Sequence, residues 1–246
     1  MSRYDFAAQR LFVDAPLGAS ATVACTPAQA NYLRNVLRLR RGDAILVFNG
    51  RDGEWRAELA EAGKRGAALV VGEQVRVQEE GPDLQYLFAP LKRARLDWMV
   101  EKATEMGTSR LRPVLTRRTV AERVNLERMR AHAVEAAEQC GIMRIPEIDA
   151  PERLERALAA WEDARPLVFC DESGEETCPF TALARIAPGP VAVLVGPEGG
   201  FAPAERELLL AQPFVTRISL GPRILRADTA AVAALALVNA VLGDWR

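Results

Sequence analysis

Between residues 84 and 242 the chain alternates short apolar runs with helix-like stretches, and few architectures tolerate that pattern. Leu84–Ala89, Leu111–Leu115, Leu167–Cys170, Val191–Val195 and Val215–Leu220 read as strands. Leu96–Ala103 (closed by Gly107), Leu126–Gln139, Leu154–Trp161 and Ala204–Ala211 read as helices between them. Strand-like runs alternating with helices predict an α/β domain with a parallel sheet covered by helices on both faces. The last stretch, Asp228–Leu242, is apolar nearly all round apart from Asn239, which predicts a helix buried in the core or against another chain.

The first 75 or so residues follow another pattern. Short strand runs (Arg10–Val13, Ala21–Cys25, Ala44–Phe48, Trp55–Leu59, Ala67–Val77) surround one helix and predict a small β-barrel. Thr26-Pro27-Ala28-Gln29 has the form of a capping box with proline at the first helical position. Tyr32, Leu33, Val36 and Leu37 would then share an inward face. Asn49-Gly50 or Asp52-Gly53 supplies a hairpin turn. The polar, turn-rich Glu79-Glu80-Gly81-Pro82-Asp83 marks a linker, so two domains are expected, residues 1–78 and 79–246.

Composition excludes several chemistries. His132 is the only histidine, which excludes an HExxH zinc site, and a Ser-His-Asp triad would need it better placed than among Arg128, Arg130 and Glu135, where it reads as part of a solvated helix face. Cys25, Cys140, Cys170 and Cys178 form no CxxC pair and read as buried apolar residues, so no metal is expected. Met1–Arg10 has no apolar core of signal-peptide length, and the longest apolar run falls short of the roughly 20 residues that span a bilayer. A cytoplasmic protein without membrane attachment is the expectation.

The net charge of −1 conceals a strong asymmetry. Residues 90–130 hold eleven basic and five acidic residues, and Arg34, Arg38, Arg40 and Arg41 form a cluster without acids. Arg34, Arg38 and Arg41 recur at helical spacing. The planar guanidinium fork suits phosphate, so these residues with Arg110, Arg112, Arg117 and Arg118 are candidate contacts to a polyanion.

Two glycine-containing turns carry the candidate chemistry. Val191–Val195 runs into Gly196-Pro197-Glu198-Gly199-Gly200-Phe201, where the backbone can approach a ligand, and Pro203 opens a helix. Ile218-Ser219-Leu220 leads through Gly221-Pro222-Arg223-Ile224-Leu225-Arg226-Ala227 into the terminal helix, with Asp228 or Thr229 as its expected cap. Placed at the carboxyl ends of neighbouring parallel strands, the turns would flank the crevice where α/β sheets bind ligands. Neither GxGxxG nor GxxxxGKS occurs there, which disfavours a dinucleotide or P-loop site.

Leu194–Phe201 and Leu220–Ala230 together resemble the paired signature of the RsmE family, 16S rRNA uridine N3-methyltransferases of the SPOUT superfamily. The resemblance extends to Glu101-Lys102-Ala103-Thr104-Glu105-Met106-Gly107 and Glu135-Ala136-Ala137-Glu138-Gln139-Cys140-Gly141. Leu33–Arg38 with Gly42-Asp43 is similar to the family's PUA-like RNA-binding domain. Asp228 stands where the family usually has glutamate, and Ala227 where it often has threonine.

The resemblance implies S-adenosylmethionine as cofactor, a trefoil knot in the C-terminal domain, a homodimer, and 16S rRNA as substrate within the small ribosomal subunit. It places the cofactor against Leu194, Val195, Gly196, Pro197, Glu198, Gly199 and Gly200, and against Ile218, Leu220, Gly221, Ile224, Leu225, Arg226 and Thr229. A bulky residue in place of Gly199 is expected to abolish cofactor binding while the protein stays folded. Arg223 and Arg226 are candidates for stabilising charge on the uracil oxygens, and Glu198 or Asp228 for accepting the N3 proton. Glu138 and Gln139 are candidates for the rim. A SPOUT enzyme acting on a ribose oxygen or another base, and an RNA-binding factor without activity, remain alternatives.

Overall fold

A computed structural model of the chain describes residues 8–63, 66–121, 123–162, 164–171 and 178–245. Two compact units emerge: Met1–Glu80 with Ala137–Ile145, and Gly81–Ala136 with Pro146–Arg246.

The first unit contains β1 (Arg10–Phe12), β2 (Thr22–Ala24), α1 (Pro27–Asn31), β3 (Ala44–Phe48), β4 (Glu54–Gly63) and β5 (Gly66–Arg76). Strand order is β1-β3-β4-β5-β2, parallel between β1 and β3 and antiparallel elsewhere. Leu11, Val23, Leu33, Val47, Leu59 and Leu69, drawn from all five strands and the helical segment, share one core, as expected of a barrel-like sheet. The turn before β4 is built by Asn49, whose Oδ1 accepts from the amides of Arg51 and Asp52. Asp52 accepts in turn from the Leu17 amide and from Asn49 Nδ2, which lowers its pKa.

The capping box forms as read. Thr26 Oγ1 accepts from the Gln29 amide, and Gln29 Oε1 accepts from the Thr26 amide. The helix then departs from its expected course. Tyr32–Val36 is a π-helical turn, closed by the Leu37 amide on the Tyr32 carbonyl. The wider turn leaves Val36 exposed rather than inward, while Leu33 is fully buried. Arg38 takes a left-handed conformation at φ 57°, and the Leu39 amide closes on the Leu33 carbonyl. Arg34, Arg38 and Arg41 therefore do not share one helical face. The chain turns before Arg41.

In the second unit the strands are β6 (Leu84–Phe88), β7 (Arg110–Leu115), β8 (Glu147–Ile148), β9 (Glu152–Arg153), β10 (Leu167–Cys170), β11 (Val191–Val195) and β12 (Val215–Ile218). All pair in parallel in the order β12-β10-β11-β6-β7-β8, with β9 also on β7. Every residue of β6, β10 and β11 is buried, so both faces of the sheet are covered. The helices are α2 (Arg93–Glu105), α3 (Leu126–Cys140), α4 (Leu154–Ala159), α5 (Pro179–Leu183), α6 (Pro203–Leu210) and α7 (Ala227–Val241). β8, β9 and α5 are too short to have stood out in the sequence.

The end of α3 and the segment after it differ from the expectation of one continuous domain from residue 79. Ala137 and Met143 pack with Phe48 in the first unit, and Arg76 Nη1 donates to the Gly141 carbonyl. Glu138 accepts from the Phe12 amide at 2.8 Å, which makes it a structural residue of that unit rather than a rim group. Gln139 is exposed.

Candidate functional site

A cavity of about 540 Å³ opens at the carboxyl ends of β10, β11 and β12. The two glycine turns converge on it, but their strands are not neighbours. β10 lies between β11 and β12, and its end supplies Cys170 and Asp171 to the wall. Among the residues singled out from the sequence, Val195–Gly200, Leu220, Gly221, Arg223, Ile224 and Leu225 line the cavity. Leu194 and Ile218 are buried in their strands behind it, and Arg226, Asp228 and Thr229 stand outside its lining.

The first turn is held from several sides. The Gly200 amide closes on the Pro197 carbonyl, with Gly200 at φ 69°. A Cβ on Gly196 would lie 2.4 Å from the Phe201 ring, which itself packs edge-on against Phe169. Any side chain at 196 must displace that ring. At Gly199 the nearest atoms to an added Cβ belong to the Arg118 side chain, 3.6 Å away, so the fold by itself does not require glycine there. Pro203 opens α6 as expected, and buried Glu205 accepts from the amides of Ala202 and Arg117.

Two basic side chains reach this turn. Arg118 Nη1 donates to the Gly199 carbonyl, and Arg95 on α2 forms an ion pair with Glu198. Glu198 is thus a cavity-lining carboxylate with a guanidinium partner.

The second turn is more open. Gly221 has φ 96°, its amide donates to Ser219 Oγ, and Ile224 is fully exposed. The cap of α7 differs from the expectation. Arg226 occupies the N-cap position with extended backbone and no side-chain cap bond. Asp228 lies within the first helical turn, where its Oδ1 accepts from the Thr229 amide and its charge suits the helix dipole.

Asp171 was not among the candidates. Its carboxylate is buried, with Arg206 Nη2 at 2.9 Å, Arg206 Nε at 3.0 Å and Arg217 Nη1 at 3.9 Å. Its backbone amide bonds the Ile218 carbonyl, which ties the end of β10 to β12. A charged residue immediately after a buried parallel strand was the available signal. Nearby Tyr86 is fully buried, and burial first, then the proximity of Cys170 and Asp228, raises its pKa well above the usual phenol value.

The arginines expected to meet phosphate divide into two groups. Arg34 is half-buried, and Arg38, Arg41, Arg117 and Arg118 are exposed. Arg110 is held by Asp149 and Glu147, and its hydrogen bond to Asp149 is the main cause of a raised pKa. Arg112 bonds Gln85 and Glu152 and stacks over Trp161. The carboxylates already around these two guanidinium groups set them apart as ties within the second unit.

The other reactive residues meet expectation only in part. Cys170 is buried, Cys25 half-buried, and Cys140 and Cys178 exposed. Burial raises the pKa of Cys25, whereas hydrogen bonds from Thr181 lower that of Cys178. His132 is enclosed by carboxylates instead of lying on a solvated face: Nδ1 is 2.8 Å from Glu101 Oε1, and Nε2 is 3.4 Å from Asp97 Oδ1.

Comparison with known proteins accounts for this architecture. A family model described as an RNA methyltransferase domain matches residues 79–239, and one described as an RNA methyltransferase PUA domain matches residues 26–72. The ribosomal RNA small subunit methyltransferase E of Synechocystis sp. is 34% identical over 251 residues, covering 96% of this chain and 78% of that protein. The chain belongs to the ribosomal RNA small subunit methyltransferase E family. The fold agrees with two solved structures. One is the family's Neisseria gonorrhoeae enzyme bound to S-adenosyl methionine, at 24% identity and TM-score 0.86, covering 97% of this chain and 100% of that one. The other is a Legionella pneumophila protein in complex with the same cofactor, at 25% identity and TM-score 0.83, covering 96% and 99%. In this family member the two-unit organisation and the parallel sheet match the family's methyltransferase and PUA parts.

Proposed function

We propose that the chain is an enzyme that methylates N3 of a specific uridine in 16S rRNA, using S-adenosylmethionine. The observation that carries this reading is the cavity framed by two glycine turns at the carboxyl ends of β11 and β12, with the end of β10 between them. The residues present suit the cofactor. A volume of about 540 Å³ falls within the range of roughly 300–1,000 Å³ for small-molecule sites. The wall is largely backbone at Gly196, Gly199, Gly200 and Gly221, with apolar Val195, Leu220, Leu225 and Ala230 beside it. Backbone amides and carbonyls can hold a nucleoside and an amino acid, and the apolar groups can cover a base.

When bound, the cofactor supplies a methyl group on a sulfonium, already activated for in-line displacement. The chain's task is alignment and handling of the uracil N3 proton. Leu194–Gly200 and Ile218–Leu225, with Arg226 and Thr229 behind the second turn, form the cofactor site. Arg223 and Arg226 stabilise negative charge on the uracil oxygens as the proton leaves. Glu198, which lines the cavity, or Asp228, in the first turn of α7, accepts that proton. N3 lies on the pairing edge, so the uridine must be unpaired or extruded from a helix to react. Arg34, Arg38, Arg41, Arg117 and Arg118 provide phosphate contacts.

The same reading assigns residues 1–78 to a PUA-like RNA-binding domain and 79–246 to a SPOUT domain with a trefoil knot. In support of a threaded path, β12 pairs with β10 on the side away from β11, and α7 then returns to pack on β11 and α2. The partly exposed apolar residues Val232, Ala233, Ala236 and Leu237 of α7 suit a homodimer interface. Among the described residues no helix is long and apolar enough to cross a membrane. A substrate in the small ribosomal subunit is the ground on which we place the enzyme with ribosomes in the cytoplasm. The test is incubation of small subunits lacking the modification with methyl-labelled cofactor, followed by mapping of the label. Label on N3 of one uridine supports the reading; label on a ribose oxygen or another base, or none, overturns it.

A further inference from the structure

We propose that Glu101, His132 and Glu135 form a binding site for one divalent transition-metal ion of the zinc class. The three share no residue with the cofactor cavity. They come from two helices: Glu101 from α2, and His132 with Glu135, three residues apart on one face, from α3. One ligand atom from each residue can be chosen so that all lie within 4.8 Å of one another. Bonds of about 2.0–2.2 Å to a common ion require somewhat closer approach, which rotation of the exposed Glu135 side chain can supply. One imidazole and two carboxylates are borderline-to-hard donors, a set that suits zinc, cobalt or nickel.

The surroundings are those of a metal-bound imidazole. His132 presents Nδ1 to Glu101 at 2.8 Å and Nε2 to Asp97 at 3.4 Å. Asp97 is fixed in turn by Arg128, which donates from Nε at 2.9 Å and Nη2 at 2.6 Å. An ion on Nδ1 therefore leaves Nε2 3.4 Å from an anchored carboxylate, an outer partner of the kind that orients a ligating histidine and raises its basicity. Arg128 serves Asp97, and a divalent cation balances Glu101 and Glu135. The side chains of His132 and Glu101 retain 23% and 29% exposure, which gives the ion an entry path and leaves coordination positions for water. Bound there, the ion ties α2 to α3.

The experiment uses chelator-treated full-length protein with Cys140→Ser and Cys178→Ser, so that exposed thiols cannot take the ion. Calorimetry with zinc chloride is expected to show one saturable site per chain in the micromolar range, and cobalt chloride to give visible d–d bands. His132→Ala should weaken zinc binding at least tenfold, and Asp97→Asn by roughly 10–100-fold. Glu135→Gln, at an exposed position, should also weaken it at least tenfold while leaving circular dichroism and S-adenosylmethionine affinity unchanged. Absence of saturable zinc binding, or unchanged affinity in Glu135→Gln, overturns the proposal even if His132→Ala fails to fold.

Discussion

Arg118 donates from Nη1 to the carbonyl of Gly199 at 2.7 Å, so a basic residue beyond β7 holds the turn that follows β11. A charge-assisted bond at an exposed position contributes about 1–1.4 kcal/mol, or five- to tenfold in an equilibrium. Arg118→Ala should therefore weaken S-adenosylmethionine binding by about five- to tenfold in calorimetry without RNA present. Arg117 is the internal control. It reaches the neighbouring structure through its backbone amide, on Glu205, and Arg117→Ala should leave cofactor affinity within about twofold. Equal effects at both positions would mean that general positive charge, rather than the bond to Gly199, governs cofactor binding.

The glycines of the first turn are not equivalent. A methyl group at 196 meets the Phe201 ring at 2.4 Å and must push it against Phe169, the sort of overpacking that costs about 1–3 kcal/mol. Gly196→Ala should lower Tm by several degrees, at roughly 2–4 °C per kcal/mol for a chain of this size, and impair cofactor binding. Gly199→Ala meets only flexible Arg118 atoms and should change both quantities little. Scanning calorimetry of the two variants compares them directly, and a larger loss at 199 would show that a ligand, not Phe201, limits this turn.

Much of this arrangement could be read from the chain because local rules decide it. Val191–Val195 is apolar at every position because both faces of β11 are covered, and Thr26 with Gln29 satisfies orphan helix donors using only nearby atoms. The remainder depends on partners distant in sequence. Nothing local reveals that β10 enters between β11 and β12, so the charge that follows its apolar run marks Asp171 as a strand-end residue without tying it to the two glycine turns. Arg110 and Arg112 look like phosphate ligands until Asp149 and Glu152, about 40 residues later, return beside them. Propensity favours aspartate or threonine as a cap, yet α7 begins one residue before Asp228, with Arg226 at the boundary. The π-helical turn at Tyr32–Val36 likewise has no sequence signature of its own, and it removes Val36 from the apolar face.

Glu198 and Arg95 separate two roles for one carboxylate. If Glu198 accepts the N3 proton, Glu198→Gln should lower kcat by about 10²-fold or more and remove the acidic limb of the kcat–pH profile. Arg95→Ala, which removes the partner but keeps the carboxylate, should chiefly raise KM for the cofactor. We expect this split. Matching changes in KM alone for both variants would reduce the ion pair to an anchor of the turn and leave Asp228 as the acceptor.

Arg34 and Arg38 allow the RNA-facing role of the first unit to be measured without disturbing the cofactor. Arg38 sits at φ 57°, where alanine is strained but asparagine is tolerated, so Arg38→Asn removes the charge while keeping the turn. Arg34 donates from Nε to the Ala30 carbonyl within its own helical segment, and Arg34→Gln retains a polar side chain of intermediate length there. Each phosphate contact contributes about 0.7–0.9 to the slope of log affinity against log salt. The double variant should therefore flatten that slope by roughly 1.4–1.8 for a 16S rRNA fragment, with weaker binding at low salt. S-adenosylmethionine affinity should stay at the wild-type value, because neither residue lines the cavity. An unchanged slope would remove both arginines from the RNA-binding surface, whatever the overall affinity did.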